Sequence, residues 1–550
     1  MTEDIDVLIL GAGINGAGLF RDLCEQGLRV VITDKADFGS GTSAAPSRLI
    51  HGGIKYLETG EFRLVAQSTL ERNLLLRNAP HCVTPLPTVI PIFSWLKGIP
   101  AALRTLAGST TAPRSRGAVL IKIGLALYDF YGARHRVMPR HALWSRSHAL
   151  RKIPPLNANI VAAGTYYDAK VTHPERLVLE LLQDGVKASP ASEALNYADL
   201  LGTDGSSVRV RASDGSERAF RPRIVVNAAG PWIDRVNEAL GAPSHLIGGT
   251  KGSHILVDHP ELIRALGGRM IYFEADDGRI CLVFDYLGRA LVGSTDIRAT
   301  DPDTVRCEDN EIDYFLQSLR SLLPGLSFDR SQIVYAYSGV RPLPASDGTA
   351  PGLISRDHSA PVMEPEGARA WPIVSLVGGK WTTFRGFAEE VSDMLLIRLG
   401  LSRRKSTREL PIGGGHGFPA DSAAHAGWID EAVWATGATP ARAATLLSRY
   451  GTTARAVLLH EATHPAPPLA DAPDYTLAEL DWIVRNESVV HLDDLVMRRT
   501  ALAITGRLSL RDLESIADMA AGALGWEAKR RDGELDVTQA KLAEHRLRQN

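Results

Sequence analysis

The sequence predicts an α/β protein with three parts: a discontinuous domain around a parallel sheet, a second domain around an antiparallel sheet, and a helical C-terminal domain. Three observations support this prediction. Apolar runs typical of buried strands pass into glycine-rich turns at 6–16, 223–230 and 373–379. Segments of strand character, at 279–285 and 290–295, lie between the later two of these runs. Beyond residue 410, Ala- and Leu-rich helical periods replace the strands.

The first run, from Asp6 to Asp34, combines a strand, a turn, a helix and a second strand. Val7 to Leu10 is an apolar run typical of a strand buried on both faces. The turn that follows reads G-A-G-I-N-G, and apolar residues then recur at helical spacing. Gly27 stops the helix, and the second strand ends at Asp34.

Each glycine of this turn has a physical role. Gly11 permits the tight turn, Gly13 lets the backbone approach a pyrophosphate, and Gly16 lets the helix pack on the strand. The helix N-terminus offers free N–H groups and a positive dipole end to the phosphates. Asp34 can accept two hydrogen bonds from a ribose and disfavours a 2′-phosphate. The pattern predicts a Rossmann-type dinucleotide site, with a glycine-rich turn of an unrelated domain as the alternative. Its candidate contacts are Gly11, Gly13, Ile14, Asn15, Gly16 and Asp34.

The segment after Asp34 favours a flavin over a nicotinamide cofactor. A nicotinamide enzyme is expected to continue with another strand, but 39–47 is a Gly/Ser/Thr/Ala crossing of the kind that lines flavins. The strand and turn at 373–385 lead into a helix expected over 386–399, whose N-terminus suits the flavin N1/O2 edge. For Trp232, a core position is the alternative to cofactor contact. The further candidate contacts are Thr42, Ser43, Ser47, Leu49, Gly53, Gly230, Trp232, Gly379, Lys380 and Thr382.

Composition and charge are ordinary for a globular protein. With 45% hydrophobic residues, 23% charged residues and a net charge of −2, there is no reason to expect a nucleic-acid partner. The four cysteines are widely scattered, which predicts buried free thiols in a reducing compartment and no metal site. No apolar run is long enough to span a bilayer, and the first strand begins too near Met1 for a signal peptide. We therefore expect a cytoplasmic protein or one bound to a membrane surface.

These patterns also predict domain boundaries. The charged end of the chain, 527–550, is expected to be a solvated helix or tail. The predicted ranges are 1–80, 155–240 and 350–400 for the nucleotide-binding domain, 81–154 and 241–349 for the substrate-binding domain, and 410–550 for the helical domain.

Several motifs give the chain a specific resemblance. They include GAGINGAG at 11–18, RLIHGGIKYLETGEFRLV at 48–65, IGLALYDFYG at 123–132, YSGVRPL at 337–343 and GGKWTTFR at 378–385. The chain resembles the FAD-dependent glycerol-3-phosphate dehydrogenases of the aerobic, quinone-linked type over nearly its whole length. The resemblance implies an FAD cofactor, oxidation of sn-glycerol 3-phosphate to dihydroxyacetone phosphate, and a quinone as electron acceptor.

Oxidising a secondary alcohol on FAD requires a hydride acceptor, a base for the hydroxyl proton, and cations that hold the phosphate. His51, which precedes two glycines in a segment predicted to pass the flavin, is the candidate base or substrate-orienting group. A hydrogen-bonded structural histidine is the alternative. Lys55 and Tyr56, one turn later, are candidates for phosphate and hydroxyl contact; a surface lysine beside a core tyrosine is the alternative.

Four later residues complete the predicted site. Arg341 is flanked by apolar residues and would be costly to bury without an anionic partner, and by resemblance it stabilises the developing alkoxide or binds substrate. Lys380 lies at a predicted helix start, where a cation opposes the helix dipole, and such a conflict is typical of a functional site. His254 is a weaker candidate for substrate binding. Arg356 matches the family's second phosphate-binding arginine. The predicted catalytic residues are His51, Arg341 and Lys380.

The chain departs from the family pattern in ways that bear on the substrate. Lys55 stands where the family commonly has Arg, which keeps a cation but loses its bidentate fork. The stretch 172–174 replaces a usually acidic pair, and 93–117 is longer than usual. An erythritol phosphate or other longer polyol phosphate is therefore an alternative substrate. An amine or amino-acid oxidase of the same wider fold and a non-catalytic flavin-binding scaffold are further alternatives, although the cation set favours a dianionic substrate.

A membrane contact is predicted for 82–128, which contains no Asp or Glu. Basic residues alternate there with Trp and aliphatic side chains, as in interfacial segments that bind anionic lipid on the inner face of a membrane. The alternative is a core element over 119–128 preceded by a surface loop. The sequence is also compatible with a homodimer. The basic residues are Lys97, Arg104, Arg114, Arg116 and Lys122.

Overall fold

The structure, a computed structural model, describes residues 2–57, 60–95, 117–132, 137–299, 301–345 and 357–545. Some residues of the predicted site and of the predicted membrane segment lie outside these ranges. Arg356 lies outside the described residues, and so do four basic residues of the predicted membrane segment. The side chain of Lys55 is likewise outside the description. The four basic residues are Lys97, Arg104, Arg114 and Arg116.

Strands and helices are numbered in chain order. The strands are β1 Thr2–Leu10, β2 Val30–Thr33, β3 Leu49–Ile50, β4 Val83–Ile92, β5 Ala142–Ser145, β6 Ala162–Val171, β7 Glu193–Leu195, β8 Asp199–Thr203, β9 Val208–Arg211, β10 Glu217–Asn227, β11 Thr250–Val257, β12 Met270–Glu274, β13 Ile280–Tyr286, β14 Arg289–Gly293, β15 Ile297–Arg298, β16 Ile333–Arg341, β17 Val362–Met363 and β18 Ile373–Ser375. The helices are α1 Ile14–Glu25, α2 Phe62–Asn78, α3 Ala118–Tyr131, α4 Arg146–Lys152, α5 Pro174–Ala188, α6 Ile233–Ala239, α7 Pro260–Leu266, α8 Asp309–Leu322, α9 Phe384–Leu399, α10 Ser422–Thr436, α11 Pro440–Tyr450, α12 Ala454–Thr463, α13 Leu477–Asn486, α14 Leu510–Leu524 and α15 Ala528–His545.

The first sheet has eight strands in the order β17-β18-β10-β1-β2-β7, with β9 beside β10 and β8 beside β9. Its central strands β18, β10, β1, β2 and β7 run parallel. Their register places Leu10 between Thr33 and Asn227, and Asn227 beside Ser375. The parallel strands therefore end together at one edge of the sheet, and the turns that follow them meet there.

Helices α1, α5 and α9 pack on one face of this sheet. Phe20 of α1, Leu181 of α5 and Phe387 of α9 belong to one buried core with the sheet residues Val7 and Ile9. The helix expected over 386–399 begins two residues earlier than predicted, at Phe384. The parallel sheet and its helices confirm the Rossmann-type part of the predicted fold class.

The second sheet has ten strands in the order β15-β11-β14-β13-β12-β4-β6-β3, with β16 beside β11 and β5 beside β6. All of its pairs are antiparallel except β12 with β4. This confirms the predicted antiparallel sheet. β3 and β6 belong to it although their residues fall within ranges predicted for the nucleotide domain; the domain boundaries themselves stay a prediction.

The C-terminal part of the chain is helical, as predicted. One of its helical segments is a π-helix, Asp494–Arg499. Thr500 ends it with extended backbone, and its hydroxyl donates to the carbonyls of Leu495 and Val496. A threonine that bonds back to preceding carbonyls competes with the regular helical ladder, which gives this end its irregular form.

The charged end of the chain is a helix, α15, but it is not simply solvated. Leu535, Thr538 and Leu542 are buried against the C-terminal core. His545 stacks on Tyr335 of β16, with the ring centroids 4.9 Å apart. The predicted tail is therefore wrong for one face of this helix, because apolar residues at helical spacing among the charges dock it on the fold.

The cysteines are free thiols, as predicted: Cys24, Cys82 and Cys281 are buried and Cys307 is half-buried. The Cys82 thiol lies within 4.8 Å of the ligand atoms of His81 and Glu180, whose own contact is a 2.9 Å hydrogen bond. No helix in the described ranges has the length and apolar character needed to cross a bilayer.

Candidate active site

The glycine-rich turn after β1 is shaped by two close backbone contacts. Gly11 has φ +108°, and a Cβ atom there would lie 2.6 Å from the Ala228 carbonyl oxygen. A Cβ atom on Gly16 would lie 2.0 Å from the Gly11 carbonyl oxygen. At Gly13, by contrast, the nearest atom to an added Cβ is Ser43 Oγ at 3.1 Å. The protein's own packing thus requires glycine at 11 and 16, while the space beside Gly13 is left for a ligand to approach.

Asp34 follows β2, as predicted, and lies at the same edge. Its carboxylate accepts the N–H groups of Ala12 at 2.7 Å and Ala36 at 3.0 Å. Burial raises the pKa of Asp34 to about 6. The N–H of Ile14 donates to Ser43 Oγ at 2.9 Å, so this helix N-terminal donor already has a partner within the protein.

The turn after β18 reaches the first turn through Asn15. Asn15 Nδ2 donates to the Gly378 carbonyl at 3.3 Å, and a Cβ on Gly379, which has φ +85°, would lie 2.5 Å from Asn15 Nδ2. Among the described residues, the buried Asn15 Oδ1 has no hydrogen-bond partner. An unpaired buried acceptor between two glycine turns fits a cofactor that supplies a donor there. The donor set, the carboxylate of Asp34 and the glycine turns therefore fit a dinucleotide.

The segment from His51 to Tyr56 lies against the same turn. The His51 N–H donates to Thr382 Oγ1 at 3.1 Å, and the Thr382 hydroxyl donates to the His51 carbonyl at 3.2 Å. The His51 and Tyr56 ring centroids are 6.2 Å apart, and Lys380 Nζ lies 3.7 Å from the Tyr56 ring centroid. The Tyr56 ring also lies on Gly53, whose added Cβ would be 2.3 Å from it. The structure thus brings these five predicted residues together.

Lys380 does not lie at a helix start, because α9 begins at Phe384. The lysine sits in the turn between β18 and α9. The predicted conflict between a cation and a helix N-terminus is therefore wrong, and the Lys380 ammonium makes a cation–π contact with Tyr56.

Arg341 ends β16 and adjoins the same turn, since the Gly378 N–H donates to the carbonyl of the next residue, Pro342, at 3.1 Å. Its guanidinium pairs with Asp296 at 3.2 Å and donates to Ser294 Oγ at 3.1 Å. Its side chain is 22% exposed and is therefore only partly buried. Asp296 is thus an ion-pair partner of this arginine.

His254 lies deeper in the second sheet. Its Nε2 is 2.7 Å from Ser47 Oγ, and its ring stacks on Tyr337 with centroids 4.9 Å apart. Burial, with Arg341 and Arg48 nearby, holds the pKa of His254 well below its usual value, so the imidazole is neutral. Ser47, predicted as a cofactor contact, is therefore engaged by His254.

Trp232 does not take the core position that is its alternative to cofactor contact, and the cofactor contact stays a prediction. Its indole N–H donates to Asp303 at 2.8 Å, and Lys35 Nζ lies 4.3 Å from its ring centroid. It is half-buried. The core position is wrong, because a polar indole N–H and a cation on the ring face keep this side chain at the surface.

Sequence reasoning missed three buried residues behind His51. They are Arg72, Tyr128 and Asp168: the Gly52 N–H donates to Tyr128 and Asp168, and Arg72 donates to both of these acceptors. Tyr128 stands inside the quoted motif IGLALYDFYG, but nothing in that motif indicates where its hydroxyl points. These residues come from three elements far apart in the chain, so only the fold unites them.

Comparison with known proteins places the chain in a family. Residues 6–394 match the family described as FAD dependent oxidoreductase, and residues 405–531 match the C-terminal domain of alpha-glycerophosphate oxidase. A glycerol-3-phosphate dehydrogenase of Synechocystis sp. is 32% identical over 96% of this chain and 95% of its own length. A D-erythritol 1-phosphate dehydrogenase of Brucella abortus is 30% identical over 90% of this chain and 94% of its own.

A solved structure supports the fold as well. The glycerol-3-phosphate dehydrogenase from Bacillus halodurans, complexed with FAD, superposes with a TM-score of 0.75 at 22% identity, covering 100% of this chain and 96% of that one. These comparisons confirm the predicted fold class, an FAD cofactor and an oxidoreductase.

Proposed function

Because this chain belongs to the family of FAD-dependent glycerol-3-phosphate dehydrogenases, we propose that it oxidises sn-glycerol 3-phosphate to dihydroxyacetone phosphate. One observation carries the proposal: His51, Lys380 and Thr382 converge at the carboxyl edge of the parallel sheet, and Arg341 adjoins their turn. A base and two cations next to a dinucleotide site are what the oxidation of an anionic alcohol requires.

Each of these side chains has a distinct task. When bound, FAD supplies the acceptor for the hydride that leaves the carbinol carbon. His51 takes the hydroxyl proton, and its partner Thr382 holds its backbone. Arg341 and Lys380 stabilise the negative charge that develops on the carbinol oxygen.

The cofactor would be held by the glycine turns and by Asp34. Gly13 would let the pyrophosphate approach the backbone, and Asp34 would accept hydrogen bonds from the ribose. Asn15 Oδ1, which has no hydrogen-bond partner among the described residues, would accept a hydrogen bond from the cofactor. By resemblance, Lys55 and Arg356 would hold the substrate phosphate. His254 is neutral and bonded to Ser47, so it adds no charge to the site.

The substrate is tested by anaerobic reduction of the flavin. The yellow protein is mixed without oxygen with sn-glycerol 3-phosphate, D-erythritol 1-phosphate, glycerol or glycine, and the loss of flavin absorbance is followed. We expect bleaching by sn-glycerol 3-phosphate and none by glycerol, because the cations of the site need a phosphate. Bleaching by glycine would instead select an amino-acid oxidase, and bleaching by none would overturn the enzymatic proposal.

A longer polyol phosphate is the second candidate substrate, favoured by Lys55 and by the relative from Brucella abortus. Faster bleaching by D-erythritol 1-phosphate would select it. Lys55→Arg should then shift the preference toward sn-glycerol 3-phosphate, because arginine restores the bidentate fork. An unchanged ranking of substrates would show that Lys55 does not set the preference.

For the electron acceptor we propose a quinone, reached from the cytoplasmic side of a lipid surface. The support comes from α3, whose Ile121, Leu125 and Tyr128 are buried while its opposite face is apolar and exposed. Side chains near its two ends extend this apolar surface. Its members, which are between 39% and 73% exposed, are Phe62, Phe93, Trp95, Val119, Ile123, Leu127 and Phe130. An exposed apolar patch of this kind suits insertion into a lipid interface.

The lipid surface is tested by co-sedimentation with vesicles of phosphatidylglycerol and phosphatidylcholine. We expect binding at low salt that weakens as salt is added, and weaker binding after the double change Ile123→Ser and Phe130→Ser. Trp434→Ser is the matched control, because Trp434 is 90% exposed but lies on α10 of the helical domain. Wild-type protein that stays in the supernatant would leave the apolar surface without a lipid role.

A further inference from the structure

We propose that a buried trio, Arg72, Tyr128 and Asp168, positions His51 by fixing the peptide bond between His51 and Gly52. The inference rests on the proposed function, in which His51 receives the substrate proton. The trio touches neither of the glycine turns in the contacts described above, so its members are positioning residues.

The peptide bond between His51 and Gly52 is held at both of its polar atoms. Its carbonyl, on His51, accepts the Thr382 hydroxyl at 3.2 Å. Its N–H, on Gly52, donates to Tyr128 Oη at 2.9 Å and to Asp168 Oδ1 at 3.0 Å. Because the peptide unit is planar, two opposed anchors fix its orientation, and with it the backbone that carries the imidazole.

The Tyr128 hydroxyl makes every hydrogen bond that it can make. The Tyr128 hydroxyl donates to Asp168 Oδ1 at 2.5 Å and accepts from Arg72 Nη1 at 2.6 Å as well as from Gly52. One donor and two lone pairs are thereby all used. Arg72 Nη1 also lies 3.0 Å from Asp168 Oδ1, which compensates the buried carboxylate. Burial raises the pKa of Tyr128 well above its usual value, so the phenol keeps the proton that it donates.

The trio leaves no room for another residue at position 52. A Cβ atom on Gly52 would lie 2.3 Å from Tyr128 Oη and 2.6 Å from Thr69 Cγ2. Each trio member is at most 4% exposed. Arg72 comes from α2, Tyr128 from α3 and Asp168 from β6. Tyr128 and Asp168 therefore meet at one backbone N–H, and Arg72 donates to both of them from a third element.

Two variants separate positioning from a purely structural role. Tyr128→Phe keeps the ring and removes the hydroxyl, while Tyr166→Phe removes a hydroxyl from the ring that stands edge-on to Tyr128 at 5.6 Å. We expect Tyr128→Phe to keep its flavin, to slow anaerobic flavin reduction by sn-glycerol 3-phosphate about tenfold and to change the substrate Kd less than about twofold. Tyr166→Phe should be close to wild type in all three.

A second measurement follows the backbone itself. Amide hydrogen exchange of the segment that contains Gly52, read by mass spectrometry, should accelerate in Tyr128→Phe and not in Tyr166→Phe. Should Tyr128→Phe fail to fold, Asp168→Asn serves in its place, because it removes the charged acceptor and keeps the size. A lower melting temperature with unchanged exchange at this segment and unchanged reduction rate would overturn the inference.

The outcomes also distinguish this inference from the proposed function. Wild-type flavin that no polyol phosphate reduces would refute the proposed function, while the exchange measurement would still decide whether the trio holds Gly52. Fast reduction in wild type, slow reduction in His51→Asn and wild-type behaviour in Tyr128→Phe would keep the function and reject the positioning role.

Discussion

The two ends of the candidate site are built in different ways. At the nucleotide end, Gly11, Gly13, Gly16 and Asp34 come from one strand–turn–helix–strand unit, and backbone contacts define it. At the substrate end, the groups come from separate parts of the chain: His51, Tyr128, Asp168, Arg341 and Thr382. The nucleotide end is thus a local property of the sequence, and the substrate end is a property of the assembled fold.

A buried ion pair lies behind each end. Behind Asp34, the fully buried carboxylate of Asp37 accepts hydrogen bonds from both terminal nitrogens of Arg499, each at 2.8 Å. It also accepts one from Arg498 Nε at 2.6 Å. Behind His51, Asp168 pairs with Arg72 at 3.0 Å. The arginines at the nucleotide end come from the π-helix of the C-terminal part, which carries no catalytic motif. We infer that this part of the chain holds the loop after Asp34.

The largest expected effect separates two glycines of the nucleotide end. Gly16→Val should give insoluble or unfolded protein, because its Cβ would lie 2.0 Å from a carbonyl oxygen. Gly13→Val should fold but stay colourless, because the side chain fills the space left for the pyrophosphate. Circular dichroism and flavin absorbance check both. A yellow, active Gly13→Val variant would contradict the cofactor site.

The ion pair behind Asp34 gives the next largest effect. Arg499→Ala removes two of the hydrogen bonds and one of the positive charges that compensate the buried Asp37 carboxylate. We expect a loss of about 3–5 kcal/mol in the free energy of unfolding, together with weaker FAD binding. Arg330→Ala is the control, because its partners Asp309 and Asp313 are exposed and its loss should leave the melting temperature nearly unchanged. Equal melting temperatures for the two variants would show that the pair does not hold the loop.

At the substrate end, the expected effect is on catalysis and not on the cofactor. Arg341→Ala should lower kcat/KM at least ~100-fold, or about 2.7 kcal/mol, while the flavin content stays normal. Arg289 is the matched control: it lies in the same sheet, is 21% exposed and pairs with Asp258 at 2.7 Å. Arg289→Ala should keep kcat/KM. An unchanged kcat/KM in Arg341→Ala would make Arg341 structural.

The same difference explains what could be predicted from the sequence. The strand–turn–helix unit was predicted correctly because glycine spacing and apolar runs report backbone geometry directly. His51, Tyr56 and Lys380 were found as candidates because motifs of the resembling family contain them. Tyr128 and Asp168 were missed, since no pattern within α3 or β6 indicates that their polar atoms share one amide. The start of α9 was predicted two residues too late, at 386 instead of 384, because helix ends are poorly fixed by propensity alone.

The smallest expected effect concerns Asp34 and pH. Its pKa is raised to about 6 in the protein without ligand, and hydrogen bonds from a ribose favour the carboxylate, so FAD should bind the deprotonated form better. FAD affinity should therefore fall roughly tenfold per pH unit below about 6. The stability of the protein without FAD should depend on pH in the opposite direction. The pKa of Asp34 is higher in the folded protein than in the unfolded chain, so protonation relieves the cost of burying the charge. Through this group, the free energy of unfolding should rise as the pH falls through 6. Asp34→Asn should bind FAD more weakly at pH 8 and lose most of the pH dependence between 5 and 7. Titrating apoprotein with FAD by fluorescence quenching at pH 5, 6, 7 and 8 measures this, and an equal pH slope in wild type and Asp34→Asn would assign the titration to another group.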